Sequence, residues 1–148
     1  MPVKPTPSGE TQRDLAPVHI LYIDDDEVAL VATQLQLMRD GIQAETTAYP
    51  LEGISILASQ TVDLVVIDVM MPEIDGLDFV RLMRSLDLHH PVVFLTGADI
   101  EHIKHEVRGL GALGVLSKTE RKGRLSERLR ELYQQSQSSL GAAAASAF

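Results

Sequence analysis

Short apolar runs alternate with segments of helical spacing along most of this chain. Five runs have the length and residue types of strands, and they cover residues 18–23, 43–48, 63–69, 91–96 and 113–117. Helical spacing fills the stretches after them, at about residues 27–39, 51–59, 76–86, 99–110 and 121–135. Five strand–helix units predict an α/β fold, with a parallel sheet covered by helices on both faces. The second run is the most polar, so we expect it at an edge of the sheet.

The composition divides the chain into three parts. Residues 1–16 contain three prolines and few apolar side chains, which predicts a disordered N-terminal lead-in. Residues 17–135 hold all the strand–helix units and are predicted to form one globular domain. Residues 136–148 are of low complexity and rich in alanine, which predicts a frayed tail or a linker stub.

Charge and composition exclude several classes of function. The net charge of −8 argues against a general nucleic-acid or anionic-membrane surface, and an aromatic content of 4% is low for stacking on single strands. The chain has no cysteines, so disulfides, thiolate metal sites and a cysteine nucleophile are excluded. No apolar stretch approaches the roughly 18 residues that span a bilayer. We therefore expect a cytoplasmic protein that binds neither membranes nor nucleic acid directly.

Three acidic residues, Asp24, Asp25 and Asp26, directly follow the first apolar run. In a parallel α/β sheet the carboxyl ends of the strands line the crevice where ligands bind. Carboxylates packed this closely repel one another unless a cation holds them, and Mg²⁺ is the divalent ion that best suits such oxygen ligands. The alternative is a helix start, where Asp caps the first turn and acids complement the helix dipole. The acidic run alone leaves both interpretations open.

The ends of three other apolar runs also carry polar side chains. Asp68 follows the third run, Thr96 the fourth and Lys118 the fifth. Each has an ordinary alternative, as a loop or helix cap or as a solvated charge. Because all these strand ends face the same edge of a doubly wound sheet, the sequence predicts one site that joins them to the acidic run.

Five motifs in this order and spacing resemble the receiver domain of two-component response regulators. They are the segments at residues 20–26 and 63–68, Met71-Pro72 with Asp75-Gly76-Leu77, the segment at 94–97, and Gly111-Ala112 ahead of Lys118. The resemblance covers about residues 18–135. It implies a flavodoxin-like (βα)₅ fold with a doubly wound parallel sheet of strand order 2-1-3-4-5.

The resemblance also implies a function in signal transduction. Asp68 would accept a phosphoryl group from a phosphohistidine on a sensor histidine kinase or phosphotransfer protein. The domain would then change conformation and regulate a partner, without being an enzyme apart from self-catalysed phosphoryl transfer and autodephosphorylation. A homodimer through the fourth helix, the fifth strand and the fifth helix is left open.

The family pattern assigns roles to individual side chains. Mg²⁺ would be held by Asp25, by Asp68, by the backbone carbonyl of Met70 and by waters, one of them oriented by Asp24. Lys118 and Thr96 would each contact a phosphoryl oxygen. Asp26 falls outside the acidic pair and is expected to cap the first helix.

The sequence departs from the family pattern at two positions. Thr119 follows Lys118 where the family usually has proline, and a non-proline cis bond costs about 3 kcal/mol, so we expect a trans peptide here. Val115 stands where the family often has an aromatic residue that swings inward on activation. We therefore expect the signal to travel through the loop and helix after Thr96.

Two other classes of function compete with this interpretation. The spacing Asp24-x-Asp26, with Thr96 and Lys118, also fits the motifs of haloacid-dehalogenase-type phosphatases. That family needs a further acidic pair after the lysine, which the chain does not supply. The second alternative is a receiver-like protein-interaction module that is not regulated by phosphorylation, which Thr119 and Val115 keep open.

The first predicted helix carries a second apolar stripe, formed by Val28, Val31, Leu35 and Met38. We expect this stripe to pack against the last helix, which should lie on the same side of the sheet. In the family a phosphodonor helix pair often docks near this helix, so a partly exposed stripe would serve both contacts.

Overall fold

The computed structural model describes residues 19–119 and 124–146. Within them a five-stranded sheet consists of β1 (His19–Ile23), β2 (Gln43–Thr47), β3 (Leu64–Asp68), β4 (Val92–Thr96) and β5 (Gly114–Ser117). All neighbouring strands are parallel, and their order is β2-β1-β3-β4-β5. The predicted flavodoxin-like order 2-1-3-4-5 is therefore confirmed, with the polar second strand at an edge.

Five helices connect and follow the strands, namely α1 (Glu27–Arg39), α2 (Pro50–Ser59), α3 (Gly76–Ser85), α4 (Ile100–Gly109) and α5 (Leu125–Ser146). Three begin at an aspartate whose carboxylate accepts a hydrogen bond from a backbone N–H of the first turn: Asp26, Asp75 and Asp99. In the described ranges no helix is both long and apolar enough to cross a membrane.

The sheet is buried on both faces. One face packs Leu21, Ile23, Val65, Ile67 and Phe94 with side chains of α2, α3 and α4. The other packs Ile20, Tyr22, Leu64, Val66 and Val93 with Leu30 and Leu37 of α1 and Leu129 of α5. Successive side chains of a strand point to opposite faces, so the uninterrupted apolar runs supply both layers. This packing fixes the strand ends, from which the polar side chains project.

The structure describes most of the C-terminal end of the chain but not its N-terminal end. The predicted disordered lead-in, residues 1–16, lies outside the described residues, as does the predicted start of the last helix at residue 121. Residues 136–146 of the predicted tail are helical and form the second half of α5. Alanine has the highest helix propensity, and this stretch is rich in it. The division into lead-in, domain and tail stays a prediction.

The apolar stripe on α1 does not pack against α5 as predicted. Its four side chains are 57% to 79% exposed: Val28, Val31, Leu35 and Met38. Polar groups at the end of α1 contact α5 directly. The Ser126 hydroxyl donates to the Asp40 carboxylate at 2.6 Å, and Arg130 donates to the Asp40 carbonyl. Leu30 and Leu37 lie on the sheet-facing side of α1, so the stripe lies on a side that faces solvent.

Candidate functional site

The three consecutive aspartates after β1 occupy three different environments. Asp24 is fully buried, with 0% of its surface exposed, whereas Asp25 and Asp26 are exposed. The Asp26 carboxylate accepts hydrogen bonds from the N–H groups of Val28 and Ala29 at 3.0 and 3.2 Å, which caps α1. The predicted role of Asp26 as the cap of the first helix is therefore confirmed, and Asp24 and Asp25 are free of that role.

Asp24, Asp25 and Asp68 form one carboxylate cluster. Their oxygens can lie within 4.8 Å of one another. The register explains this proximity, because Ile23 of β1 pairs with Ile67 of β3 and each is followed by a member of the cluster. The adjacent strands thus deliver two buried carboxylates, Asp24 and Asp68, and one exposed carboxylate to the same point of the sheet edge.

Lys118 reaches this cluster from the end of β5. Its ammonium donates to Oδ2 of Asp24 and to Oδ2 of Asp68, at 2.8 Å in both cases. The lysine side chain is 31% exposed, while those of its two partners are 0% and 4% exposed. A single cation therefore compensates two buried carboxylates that would otherwise repel each other at close range.

The two buried carboxyls differ in acidity. Burial raises the pKa of Asp68, the negative charge of Asp24 raises it further, and the hydrogen bond from Lys118 only partly opposes this. Burial also disfavours the charged form of Asp24, but hydrogen bonds from Lys118, Tyr22 and the Asp26 N–H outweigh it and lower the pKa of Asp24. The pKa of Lys118 is raised, because its two carboxylate partners outweigh its burial. Asp24 and Lys118 are thus held in their charged forms, and Asp68 is the carboxyl that ionises less readily.

Tyr22 contributes to this site, and the sequence analysis missed it. Its hydroxyl donates to Oδ2 of Asp24 at 2.6 Å, and the residue is 1% exposed. Burial and the neighbouring carboxylate raise the pKa of Tyr22, so the phenol keeps its proton at neutral pH and acts as a donor. The strand alternation would have revealed the contact, since residues i and i+2 of a strand lie on the same face.

The other two predicted site residues are held by their own loops. Thr96 is buried, and its hydroxyl oxygen accepts a hydrogen bond from the N–H of Ala98 at 3.0 Å. The N–H of Met70 donates to Oδ1 of Asp68 at 3.2 Å, while the Met70 side chain is exposed. The structure thus joins the aspartate cluster and Lys118 by direct contacts. Thr96 lies on the strand between β3 and β5, with its hydroxyl turned to its own loop.

The loop after Asp68 folds back closely over the end of β3. The N–H of Gly76 donates to the carbonyl of Val69 at 3.0 Å. A Cβ atom at Gly76 would lie 2.4 Å from the backbone carbonyl oxygen of Asp68, which is too close for any other residue without a backbone shift. The glycine therefore allows α3 to start directly beside the candidate nucleophile.

The corner after β5 has a conformation suited to threonine. None of the described peptide bonds is cis, so the Lys118–Thr119 bond is trans, as predicted. The N–H of Thr119 donates to the Ser117 hydroxyl at 3.1 Å, and the two hydroxyls lie 2.6 Å apart. These side-chain contacts hold the backbone on both sides of Lys118.

A parallel sheet of order 2-1-3-4-5 with an aspartate cluster and a lysine at its carboxyl edge defines a receiver-type α/β domain. Comparisons with known proteins agree with this class. The family model described as the response regulator receiver domain matches residues 20–130. The chain therefore belongs to the response regulator receiver domain family, as the motifs predicted.

Individual relatives point the same way. The response regulators SaeR of Staphylococcus epidermidis and Staphylococcus aureus are 33% and 35% identical over 94 residues, which cover 64% of this chain. The chain spans about 41% of the length of these relatives. Among solved structures, the Vibrio cholerae chemotaxis protein CheY4 is 26% identical with a TM-score of 0.73, over 79% of this chain and 99% of its own. A receiver domain protein from Clostridium thermocellum is 26% identical with a TM-score of 0.72, over 81% and 97%.

Proposed function

We propose that this domain is a phosphoacceptor switch in which Asp68 takes a phosphoryl group from a phosphohistidine. The observation that carries the proposal is the bridge that Lys118 makes between the buried carboxylates of Asp24 and Asp68. A buried, cation-paired carboxylate at the ligand-binding edge of the sheet suits a nucleophile that must receive a highly charged group. The residues proposed to form the receiver domain are 17–135.

The proposed reaction is a direct transfer between two side chains. A carboxylate oxygen of Asp68 attacks phosphorus, an O–P bond forms, and the N–P bond of the phosphohistidine breaks. The histidine nitrogen keeps the electron pair and takes a proton from solvent. Phosphoryl transfer depends mainly on alignment and on compensation of negative charge. Lys118, mobile and already hydrogen-bonded to Asp68, would move its ammonium to a phosphoryl oxygen.

The carboxylate cluster fits Mg²⁺, because it offers only hard oxygen donors and one of them, Asp25, faces solvent. Asp25, Asp68 and the Met70 carbonyl would hold the ion directly. Asp24 is fully buried and already accepts three hydrogen bonds from the protein, so Asp24 would act through a water. When bound, the ion would compensate the charge of the transferring group.

The conformational change is proposed to start at Thr96. Its hydroxyl accepts from the Ala98 N–H, which leaves the hydroxyl proton free to point at a phosphoryl oxygen on Asp68. Movement of Thr96 toward that oxygen would pull the loop that leads into α4. Val115 is half-buried against the core and has no aromatic ring, so this position cannot transmit a signal by ring rotation.

The exposed stripe on α1, formed by Val28, Val31, Leu35 and Met38, is the surface proposed to receive the phosphodonor protein. Exposed apolar side chains at helical spacing are suited to a helix of a partner. Val28 lies in the first turn of α1, directly after the acidic run, so a partner docked there would lie beside the site. A homodimer through α4, β5 and α5 stays a prediction.

Intact-mass measurement after incubation with acetyl phosphate tests the proposed function on the wild-type chain. We expect a gain of one phosphoryl group in the presence of Mg²⁺ and little gain when EDTA has removed the divalent cation. A chain that gains nothing with Mg²⁺ would instead fit a receiver-like interaction module that is not regulated by phosphorylation. Full labelling in EDTA would contradict the proposed role of the metal.

Replacement of Met70 by asparagine should shorten the lifetime of the phosphorylated state several-fold. An acyl phosphate hydrolyses when a water is held in line with phosphorus. The residues two positions after Asp68 and Thr96 are Met70 and Ala98, and neither side chain can orient a water strongly. We expect slow self-dephosphorylation in the wild type. The decay of the phosphorylated mass after removal of acetyl phosphate measures its rate.

The control for this prediction is Met70→Leu, which keeps an apolar side chain of similar size. It should decay at the wild-type rate. An unchanged rate in Met70→Asn, or a wild type that loses its phosphoryl group within seconds, would show that water positioning at this residue does not limit hydrolysis.

The phosphatase alternative has no support in the site geometry. In that interpretation Asp26 would take part in the chemistry with Asp24, but its carboxylate is used to cap α1 and is exposed. Asp68, which the alternative does not use, is instead the carboxylate that shares Lys118 with Asp24.

A further inference from the structure

We propose that Tyr22 is a positioning residue that lets Lys118 leave Asp24 when Asp68 is phosphorylated. The inference rests on the proposed function, since it concerns the charge that Asp24 retains once Lys118 moves to the phosphoryl group. It assigns a role to a buried phenol that the aspartate cluster and the lysine do not explain by themselves.

The starting point is the set of donors around Asp24. Oδ2 of Asp24 accepts both from the Tyr22 hydroxyl at 2.6 Å and from the Lys118 ammonium at 2.8 Å. Oδ1 accepts from the N–H of Asp26 at 3.0 Å. The residue has no exposed surface, so bulk solvent does not supply a replacement donor, and only the water proposed between Asp24 and Mg²⁺ would also donate to it. In the unphosphorylated protein, Oδ2 therefore has one donor more than Oδ1.

Movement of Lys118 changes the hydrogen bonding of Asp24. Its ammonium is shared between Oδ2 of Asp24 and Oδ2 of Asp68, and the proposed transfer converts the Asp68 carboxylate into an acyl phosphate. As Lys118 turns to a phosphoryl oxygen, Oδ2 of Asp24 loses the ammonium donor while the residue stays buried and charged. Oδ1 keeps the Asp26 N–H, but the loss of a donor from a buried charged oxygen such as Oδ2 is unfavourable. With Tyr22 in place, Oδ2 of Asp24 still has a hydrogen bond after the lysine has left.

The third step is that the Tyr22 hydroxyl cannot follow the lysine away. Tyr22 lies in β1, near the middle of the sheet, between Thr46 of β2 and Val66 of β3. Its ring is part of the core on the α1 and α5 side of the sheet. The hydroxyl position is thus fixed by the sheet, in contrast to the flexible lysine. The Tyr22 donor to Oδ2 of Asp24 therefore stays in place, whereas the Lys118 donor can move to the phosphoryl group.

Tyr22→Phe tests this role, because it removes only the hydroxyl. We expect the variant to fold and to bind Mg²⁺ within about twofold of wild type in calorimetry, because Lys118 still satisfies Asp24 before phosphorylation. The maximal rate of labelling by acetyl phosphate should fall about tenfold, while the Mg²⁺ concentration for half-maximal rate stays within twofold. Tyr133→Phe, a tyrosine on α5 packed against the same core cluster, is the matched control and should label at the wild-type rate.

A double-variant comparison separates positioning from a merely structural effect. In an Asp24→Asn background the buried charge is absent, so adding Tyr22→Phe should change the labelling rate less than twofold. A tenfold loss that persists in that background would overturn the inference, as would a Tyr22→Phe rate within twofold of wild type. Failure of the wild type to label at all would refute the proposed function itself, and the inference with it. Normal wild-type labelling with an unaffected Tyr22→Phe refutes the inference alone.

Discussion

Asp68→Asn should gain no phosphoryl group under conditions in which the wild-type domain becomes fully labelled. The asparagine side chain has nearly the same shape, but its amide oxygen is a far weaker nucleophile toward phosphorus than a carboxylate. It also brings one negative charge fewer to the cluster of Asp24, Asp25 and Asp68. Intact-mass analysis after incubation with acetyl phosphate and Mg²⁺ gives the result directly.

The acidic run supplies a matched control for this prediction. Asp26→Asn makes the same chemical change beside the site, and asparagine caps a helix as well as aspartate does. This variant should label like the wild type and unfold at a similar temperature. Labelling of Asp68→Asn to the extent of the wild type would show that another side chain accepts the phosphoryl group.

Lys118→Met should lose phosphorylation and also about 2 kcal/mol of unfolding free energy at neutral pH. Methionine keeps much of the length of the side chain but leaves Asp24 and Asp68 buried without their shared cation. Removal of one partner of a buried ion pair costs about 3–5 kcal/mol, and the partial exposure of the lysine reduces that figure. Urea unfolding followed by circular dichroism measures the change.

The stability loss of Lys118→Met should shrink as the pH is lowered from 7 toward 5. The pKa of Asp68 is already raised by burial, and loss of the lysine, which opposes that effect, raises it further. A carboxyl with a higher pKa in the folded than in the unfolded chain destabilises the fold above both values; this penalty shrinks as pH falls below the folded-state pKa and is absent below the unfolded-state pKa. Asp24→Asn in the same chain should restore part of the stability at neutral pH. A loss that is independent of pH, or no rescue, would contradict the shared-cation interpretation.

The fold and the members of the site were predictable because they depend on short-range rules. Continuous apolar runs of strand length specify a doubly buried parallel sheet, and such a sheet brings its strand ends to one edge. That rule predicted that Asp68 and Lys118 lie beside Asp24 and Asp25, although these three parts of the chain are far apart in sequence. The resemblance to receiver domains supplied the strand order, which the alternation of strands and helices alone does not determine.

The details that were not predicted depend on distances between particular side chains. The sequence of the acidic run does not show which of its carboxylates is buried, so it does not distinguish the buried Asp24 from the exposed Asp25. Strand alternation, continued one residue past β1, places Tyr22 and Asp24 on the same side, but the distance that makes them hydrogen-bond partners comes from the structure. The stripe on α1 was misplaced because helical spacing shows that residues share a side, without showing which of two sides meets a neighbour.

Because Asp24, Asp25 and Asp26 occupy three different environments, this segment is sensitive to changes in its length as well as in its composition. Deletion of any one of Asp24, Asp25 and Asp26 gives the same shortened sequence, in which two adjacent aspartates still precede Glu27. In such a chain either the cap of α1 is lost, or the helix is drawn toward β1 by one residue and turned by about 100°. That turn would carry Leu30 and Leu37 off the sheet, so a frame-preserving deletion that leaves an acidic pair would still disrupt both core and site.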